Sequence, residues 1–273
     1  MKKILDYSQF LQEDGFQDRD PEIQNMNSNR HLFYNTPKDI CPFCKISTSI
    51  AYTNKSFDRP DWLSGGFYEI KENVSTCSSC GWWRTTINKE TTGDIDAISV
   101  EIKNAVLRKY DLSGKDVPIQ VLETYLSNKF EDVIHIHDQN MEKLVQSVFS
   151  EHFDCDVTHM GKSGDGGIDL FFIDSEKPNV VQVKRRKKLK KTESVSFIRE
   201  FLGAALLKKS KNLIYVSTAD KFSTPAVDAS KEAVSEGIVE SYELYNFSRF
   251  EEILKLYKST DDEPAWKSHI GLG

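Results

Sequence analysis

The stretch GDGGIDLFFIDSEKPNVVQVK, residues 164–184, decides the fold of the second half of the chain. Its two apolar runs, at 168–174 and 179–184, are typical of strands, and the residues between them are few enough for an antiparallel hairpin. In the second run Gln182 and Lys184 alternate with valines, so a strand places both polar side chains on one face. This pair indicates a functional surface, because polar side chains covered by other elements would need hydrogen-bond partners.

The sequence around the hairpin predicts an α/β domain. Further elements are expected on both sides of it: a helix at about 139–152, a strand at 155–160, a helix at 193–209, a strand at 213–216, a helix from Thr224 to Gly237 and a strand near 238–242. A strand, a helix and a strand in this order form a βαβ crossover, which predicts a parallel strand pair.

The hairpin also brings together residue types that suit a divalent metal. Asp169 stands about a dozen residues before Gln182 and Lys184, and the glycine-rich run 161–167 allows close backbone approach. Hard oxygen ligands hold Mg²⁺ near a phosphate, and an ammonium group stabilises negative charge or orients water. Glu142, on the preceding helix, offers a second carboxylate, although a lone surface Glu is also the commonest residue in such a place.

Glu142, residues 164–169 and Gln182-Val183-Lys184 together resemble the Mrr-type branch of the PD-(D/E)xK nuclease superfamily. The resemblance extends through 201–205, 215–218 and 222–226 and covers about 138–258. It implies a restriction endonuclease-like mixed sheet flanked by helices. It also implies a Mg²⁺-dependent endonuclease that hydrolyses DNA phosphodiester bonds, in the restriction of foreign or modified DNA in bacterial defence.

The resemblance also implies roles for single residues. Asp169 corresponds to the central metal ligand, and Gln182 supplies a side-chain oxygen. Lys184 acts on the nucleophilic water, and Glu142 is an outer ligand of the metal. Asp165 matches the motif without a firm family role.

A basic run follows Lys184 directly. Residues 181–211 hold 11 Lys and Arg against two acidic residues, in a chain whose net charge is −6. Because the run leaves the predicted active edge, contact with a DNA backbone is favoured over a solvated loop. The predicted contacts are Arg185, Arg186, Lys187, Lys188, Lys190 and Lys191.

Two CxxC pairs, Cys41 with Cys44 and Cys77 with Cys80, predict a structural Zn²⁺ site. Each pair brings two thiolates together, and two pairs complete a tetrahedral S₄ shell. A thioredoxin-like redox pair would instead need one CxxC at a helix start after a strand. The segment 38–90 therefore resembles a zinc ribbon, a small β-rich domain.

The role of the ribbon stays open at this point. It can contact DNA, recruit a protein partner, or only stabilise a segment that is too small to fold alone. Trp82, Trp83 and Arg84, after the second CxxC, suit stacking on bases or on a partner, and they equally suit packing inside the ribbon.

We expect five segments: an N-terminal arm at 1–37, the zinc ribbon-like domain at 38–90, a helical connector at 91–137, the endonuclease domain at 138–260 and an acidic tail at 261–273. The connector is expected to be helical because apolar residues recur at helical spacing from Ile95 to about Tyr110, and again after Pro118.

Composition limits the class of protein. With 38% hydrophobic and 29% charged residues, the chain is globular, not coiled coil, collagen or globally disordered. No apolar run approaches the ~18 residues of a membrane span, and Asp6 interrupts the start before a signal segment forms. A cytoplasmic protein with DNA as partner is expected, and homo-oligomerisation stays open. Two alternatives remain: a non-catalytic DNA-binding module of the same fold, or a latent effector nuclease that a partner recruits through the ribbon.

Overall fold

The computed structural model describes residues 2–18, 39–59, 66–92, 97–160, 167–174, 177–257 and 264–270. The chain divides into two compact units. The cysteine unit comprises residues 5–109 and 263–273, and the α/β unit comprises residues 1–4 and 110–262.

Strands make up the regular structure before the first α-helix in the described part of the chain. They are β1 (Lys3–Asp6), β2 (Phe10–Asp18), β3 (Ser49–Asp58), β4 (Phe67–Thr76), β5 (Trp83–Thr92), β6 (Ala97–Ala105) and β7 (Arg108–Asp111). Strands β2 to β6 form an antiparallel sheet in the order β2-β6-β5-β4-β3, and β1 pairs with β7. The β-rich texture predicted for the ribbon is therefore confirmed.

One prediction on this part of the chain is wrong. The helix expected from Ile95 to Tyr110 is strand β6 followed by β7. The predicted N-terminal arm contains β1 and β2. In β6 the buried Val100, Ile102 and Asn104 alternate with half-buried neighbours, which is the period of a strand. Because β6 pairs with β2 on one side and β5 on the other, long-range pairing overrides the helical spacing. Residue 1 and residues 19–37 of the predicted arm lie outside the described residues.

Helices and a second sheet build the α/β unit. Its elements are α1 (Ile119–Asn128), a 3₁₀ helix (Phe130–His135), α2 (Asp138–His152), β8 (Thr158–His159), β9 (Leu170–Asp174), β10 (Lys177–Lys184), β11 (Thr192–Glu193), α3 (Val195–Leu207), β12 (Asn212–Ser217), β13 (Lys221–Phe222), α4 (Thr224–Ser235), β14 (Ser241–Tyr245) and α5 (Phe247–Tyr257). The helix predicted after Pro118 is α1, and the helices predicted at 139–152 and 193–209 are α2 and α3.

The sheet of the α/β unit has the order β14-β12-β10-β9-β8. Strands β10, β12 and β14 run parallel, and β9 pairs antiparallel with β10, so the predicted hairpin, crossover and mixed sheet are confirmed. Val181 and Val183 of β10 pack in one apolar core with α2 and α5, whereas Val180 packs in a second core with α3 and α4. Helices therefore cover both faces, and Gln182 and Lys184 follow Val180 onto the α3 and α4 face.

The segment predicted as an acidic tail contains a short 3₁₀ helix, Ala265–His269. Its Trp266 is buried in the cysteine unit, in the same apolar cluster as Cys41 and Cys77. Residues 261–263 and 271–273 of the predicted tail lie outside the described residues. Among the helices of the described residues, none has the length and apolar character needed to cross a membrane.

Candidate functional site

The four cysteines lie at the tips of two turns of matching geometry. The amide of Lys45 donates to the carbonyl of Cys41, and the amide of Gly81 donates to the carbonyl of Cys77. Lys45 and Gly81 both have positive φ, at 61° and 78°. The two CxxC segments thus fold as repeated knuckles, which turn their sulfur atoms toward one another.

The sulfur atoms form a group that fits a tetrahedral metal ion. All four Sγ atoms lie within 4.8 Å of one another, and those of Cys41 and Cys80 are 3.7 Å apart. A tetrahedral Zn²⁺ site with Zn–S bonds of about 2.3 Å has S–S separations of about 3.8 Å. Burial disfavours the thiolate of Cys80, but hydrogen bonds outweigh burial and lower its pKa to about 7. Its interaction with Cys80 raises the pKa of Cys44 to about 12.

Trp82, Trp83 and Arg84 pack inside the cysteine unit, with exposures of 2%, 2% and 5%. Trp82 Nε1 donates to the carbonyl of Ala105, and Trp83 Nε1 donates to that of Tyr7. Of the two interpretations open for these residues, the structure supports packing for both tryptophans.

Asp169 stands directly before β9, beside β10. Its Oδ2 accepts a hydrogen bond of 2.7 Å from the amide of Val183, and its own amide donates to the carbonyl of Val181. These two bonds fix the carboxylate alongside the β10 segment that carries Gln182 and Lys184. The hairpin thereby brings together three residues that the sequence separates.

Gln182 and Lys184 have identifiable neighbours. Gly167 has φ of +87°, and a Cβ built on it would lie 2.8 Å from Gln182 Nε2, so the amide group packs against a backbone that has room only for glycine. Lys184 Nζ lies 5.7 Å from the centroid of the Phe197 ring, within the range of a cation–π contact. Both polar side chains are half-buried.

Glu142 of α2 contacts a histidine of β8. Its Oε2 lies 2.6 Å from His159 Nε2. His159 in β8 is paired with Leu170, the residue after Asp169, so the Glu142–His159 pair borders the Asp169 strand. Within the described residues, the four cysteines are the one group of three or more Cys, His, Asp or Glu ligand atoms close enough to hold a metal. Asp165 and residues 161–166 of the glycine-rich run lie outside the described residues.

The fold of the α/β unit agrees with a comparison against family models. Residues 135–253 match a family described as restriction endonuclease, of the Mrr catalytic type. These residues are an Mrr-type restriction endonuclease domain. Searches of curated proteins and of solved structures gave no match to the chain.

Two arginines of the basic run are held inside the endonuclease domain. Arg185, with a side chain 9% exposed, donates from Nε to Asp138 and from Nη1 to the carbonyl of Ile134, both at 2.6 Å. Arg186 pairs with the fully buried Glu193, which also accepts from Ser217 Oγ at 2.7 Å. The hydrogen bond with Glu193 raises the pKa of Arg186. Both guanidinium groups thus have internal anions or carbonyls as partners.

The lysines of the run differ from the arginines. Lys187, Lys188, Lys190 and Lys191 are exposed. A cavity of about 370 Å³ opens among them, and its walls include Lys187, Lys188 and Lys191 together with Arg186 and Phe197. Phe197 also lies under the Arg186 guanidinium, with 4.4 Å from Cζ to the ring centroid, so one ring connects the cavity to Lys184.

Sequence reasoning missed His159, Glu193 and Phe197. The sequence contains one indication of Glu193, because it is one of two acidic residues among 11 basic residues, where a buried partner for a cation is expected. It contains no indication of His159 or Phe197, since the role of His159 depends on the pairing of β8 with β9 and that of Phe197 on the packing of α3.

Proposed function

We propose that the endonuclease domain hydrolyses phosphodiester bonds of DNA with Mg²⁺ as cofactor, and that the protein restricts foreign or modified DNA in bacterial defence. The observation that carries the proposal is the 2.7 Å hydrogen bond from Val183 to Asp169, inside the segment that matches the restriction endonuclease family. This bond keeps a carboxylate beside the polar face of β10.

The residues divide the chemistry between them. Asp169 and Gln182 provide carboxylate and amide oxygens, the ligand types that Mg²⁺ prefers, and the cation supplies charge stabilisation at the phosphate. Lys184 orients the attacking water and stabilises the charge that grows on the attacked phosphate. The attacking water loses a proton as its oxygen bonds to phosphorus, the bond from phosphorus to the leaving sugar oxygen breaks, and the leaving oxygen takes up a proton, so one proton is lost for each one gained.

Glu142 contributes from the margin of the site as an outer ligand. Its 2.6 Å contact with His159 holds the carboxylate at the border of the Asp169 strand, where its negative charge favours a bound cation. His159 is a positioning residue for Glu142 in this proposal. Loss of His159 should weaken the response to Mg²⁺ more than the maximal cleavage rate.

The exposed lysines form the DNA-backbone surface. Lys187, Lys188, Lys190 and Lys191 offer mobile point charges to phosphates, whereas Arg185 and Arg186 shape the loop that presents them. Of the six basic residues predicted from the sequence to contact the DNA backbone, the proposal keeps the four lysines. It assigns Arg185 and Arg186 to the support of the loop that carries them.

The four cysteines hold a structural Zn²⁺ in this proposal. The fit of the sulfur separations to a tetrahedral shell supports zinc, and the position of Cys41 and Cys77 within an apolar cluster supports a structural role.

Cleavage of supercoiled plasmid by the purified full chain tests the function. We expect nicked or linear product with Mg²⁺ and none without added divalent metal, and Asp169→Ala should lower the rate by at least about 100-fold. DNA binding without cleavage under any divalent metal would contradict the proposal and favour the non-catalytic module. Cleavage that appears only with a co-purifying protein would favour the latent effector nuclease.

A further inference from the structure

The cavity of about 370 Å³ in the endonuclease domain lies where the segment after β10 meets the first turn of α3. Its walls are formed by Arg186, Lys187, Lys188, Lys191, Thr192, Ser194 and Phe197. Lys190 belongs to the same basic run and is also exposed, but it is not part of these walls. The run therefore contains two kinds of lysine: three border a recess, and Lys190 stands outside it.

The walls carry positive charge that no carboxylate neutralises. Arg186 is paired with the buried Glu193, so the charges of these two groups cancel. In the described part of the chain, Lys187, Lys188 and Lys191 form no ion pair within 4.0 Å. All three side chains are exposed, so their ammonium groups are open to a ligand.

Two hydroxyl side chains, those of Thr192 and Ser194, add neutral donors to the walls. Both residues are exposed. The backbone of Thr192 is fixed by the pairing of β11 with β13, opposite Lys221. Ammonium and hydroxyl groups around one recess select a ligand that combines negative charge with several acceptor oxygens.

We infer that this cavity binds the terminal phosphate of a nucleotide, a phosphomonoester, in preference to a phosphodiester inside a strand. A phosphomonoester has three acceptor oxygens and a charge of about −1.5 to −2 at pH 7, whereas a diester has a single charge. A diester is also flanked by a sugar on each side, which hinders its entry into a recess. The volume of the cavity is that of a site for a small molecule, large enough for a nucleotide.

The cavity adjoins the proposed site of hydrolysis through Phe197. The ring centroid lies 4.4 Å from Cζ of Arg186 in the cavity wall and 5.7 Å from Nζ of Lys184. A nucleotide in the cavity is therefore one ring away from the lysine that we propose acts on the scissile phosphate. The 5′ end of a DNA strand and a free mononucleotide both carry the required group. The inference rests on the proposed function because it takes a nucleotide as the ligand.

Two oligonucleotides that differ only at the 5′ end provide the test. The probe is a thymidine decamer, labelled at its 3′ end and carrying either a 5′-phosphate or a 5′-hydroxyl group. Its binding to the full-length protein is measured by fluorescence anisotropy at fixed salt without Mg²⁺. We expect the phosphorylated strand to bind at least about fivefold more tightly, the effect of charge-assisted hydrogen bonds to its end. Equal affinity for the two strands would overturn the inference.

Lys191→Met and Lys190→Met separate the recess from a general effect of charge. Both variants remove one positive charge from the same exposed run, and only Lys191 borders the cavity. Lys191→Met should reduce the preference for the phosphorylated strand to less than about twofold. Lys190→Met should weaken both strands alike and keep the preference. Equal loss of preference in the two variants would show an effect of net charge alone and overturn the inference.

Thr192→Val tests the cavity without any change of charge. The variant keeps the shape of the side chain and removes its hydroxyl, so it should weaken the phosphorylated strand by about two- to threefold, the effect of one neutral hydrogen bond. The affinity for the hydroxyl-ended strand should stay the same. A full preference in both Thr192→Val and Lys191→Met would overturn the inference.

Competition identifies the source of the phosphate. Thymidine 5′-monophosphate and thymidine are each added to the protein with the bound phosphorylated strand. Displacement by the monophosphate at a lower concentration than by unlabelled phosphorylated strand assigns the cavity to free mononucleotides, and the reverse order assigns it to DNA ends. Equal displacement by thymidine, which lacks the phosphate, would overturn the inference.

Failure of this inference and failure of the proposed function are distinguishable, because a closed circular plasmid has no 5′ end. Plasmid cleavage without a preference for the phosphorylated strand removes the cavity inference and leaves the endonuclease. A preference for the phosphorylated strand in a protein that never cleaves DNA leaves the cavity and removes the hydrolytic activity.

Discussion

The α/β unit and the cysteine unit are stabilised in different ways. In the α/β unit every residue of β12 is buried, and two apolar cores cover the two faces of the sheet. In the cysteine unit one apolar cluster includes Cys41 and Cys77 among its buried members. The cysteine group that we propose to hold zinc therefore stands where the α/β unit has aliphatic packing.

The two units also differ in where their candidate functional residues lie relative to the apolar core. Asp169 and Lys184 lie at the ends of strands whose apolar residues already hold the fold, so substitutions there are expected to affect chemistry more than stability. The cysteine unit has no such separation, because the cysteines that we propose as zinc ligands belong to its apolar cluster.

Loss of zinc should have the largest effect. Cys77→Ser should remove the ion and unfold the cysteine unit, since structural zinc contributes on the order of 10–16 kcal/mol in small metal domains. Hydrogen exchange should rise across 66–92 and stay slow across 212–217. Cys155→Ser, outside the cluster, is the control and should keep about one zinc per chain. Wild-type protein with well under one zinc per chain would contradict the S₄ assignment.

A buried ion pair in the α/β unit should come next. Glu193→Gln leaves the Arg186 charge without its buried partner and should lower the free energy of unfolding by about 3 kcal/mol. The matched change Glu243→Gln affects an exposed pair with Arg249 and should cost less than about 1 kcal/mol. Chemical denaturation measures both, and equal losses would show that burial of the Glu193 pair is unimportant.

Gly167→Ala should have a smaller effect on stability and a specific one on activity. The positive φ costs a side chain about 1–2 kcal/mol, and the added methyl group displaces Gln182. Gly203→Ala in α3 meets no atom and should instead stabilise by about 0.5–1 kcal/mol. Thermal unfolding and plasmid cleavage separate the two changes. Full cleavage activity in Gly167→Ala would argue against a role for the Gln182 amide.

The lysine surface should give the smallest change. The double change Lys187→Ala with Lys188→Ala should reduce the log–log salt slope of DNA binding by about 1.8, that is about 0.9 for each phosphate contact. Lys231→Ala with Lys255→Ala removes the same charge from α4 and α5 and should leave the slope unchanged. A slope that responds equally to both double variants would mean that only net charge matters.

Sequence reasoning predicted the α/β unit well because its signals are local. The hairpin of β9 and β10 follows from alternation and a short connection, and α2 and α3 follow from apolar spacing. The Cys pairs were equally readable, since two CxxC segments leave few other arrangements.

In the cysteine unit, prediction from sequence failed where strands pair with partners that are distant in sequence. Ile98 and Ile102 fit a helix by spacing, yet β6 lies between β2, about 90 residues earlier in sequence, and β5. The partner of Arg185 was unreadable for the same reason, because Asp138 of α2 reaches the basic run only through the tertiary fold. A run of basic residues in the sequence does not show which of the side chains have internal ion-pair partners in the folded protein.

The rate of plasmid cleavage by Lys184→Ala, beside Lys177→Ala from the other end of the same strand, tests the central claim most directly. We predict that Lys184→Ala cleaves at least about 100-fold more slowly with near-normal DNA affinity, because Lys184 acts where charge grows on the attacked phosphate. Lys177→Ala, with a side chain 64% exposed, should cleave at the wild-type rate. Lys184→Ala protein that cleaves DNA as fast as wild type would contradict the assigned active site.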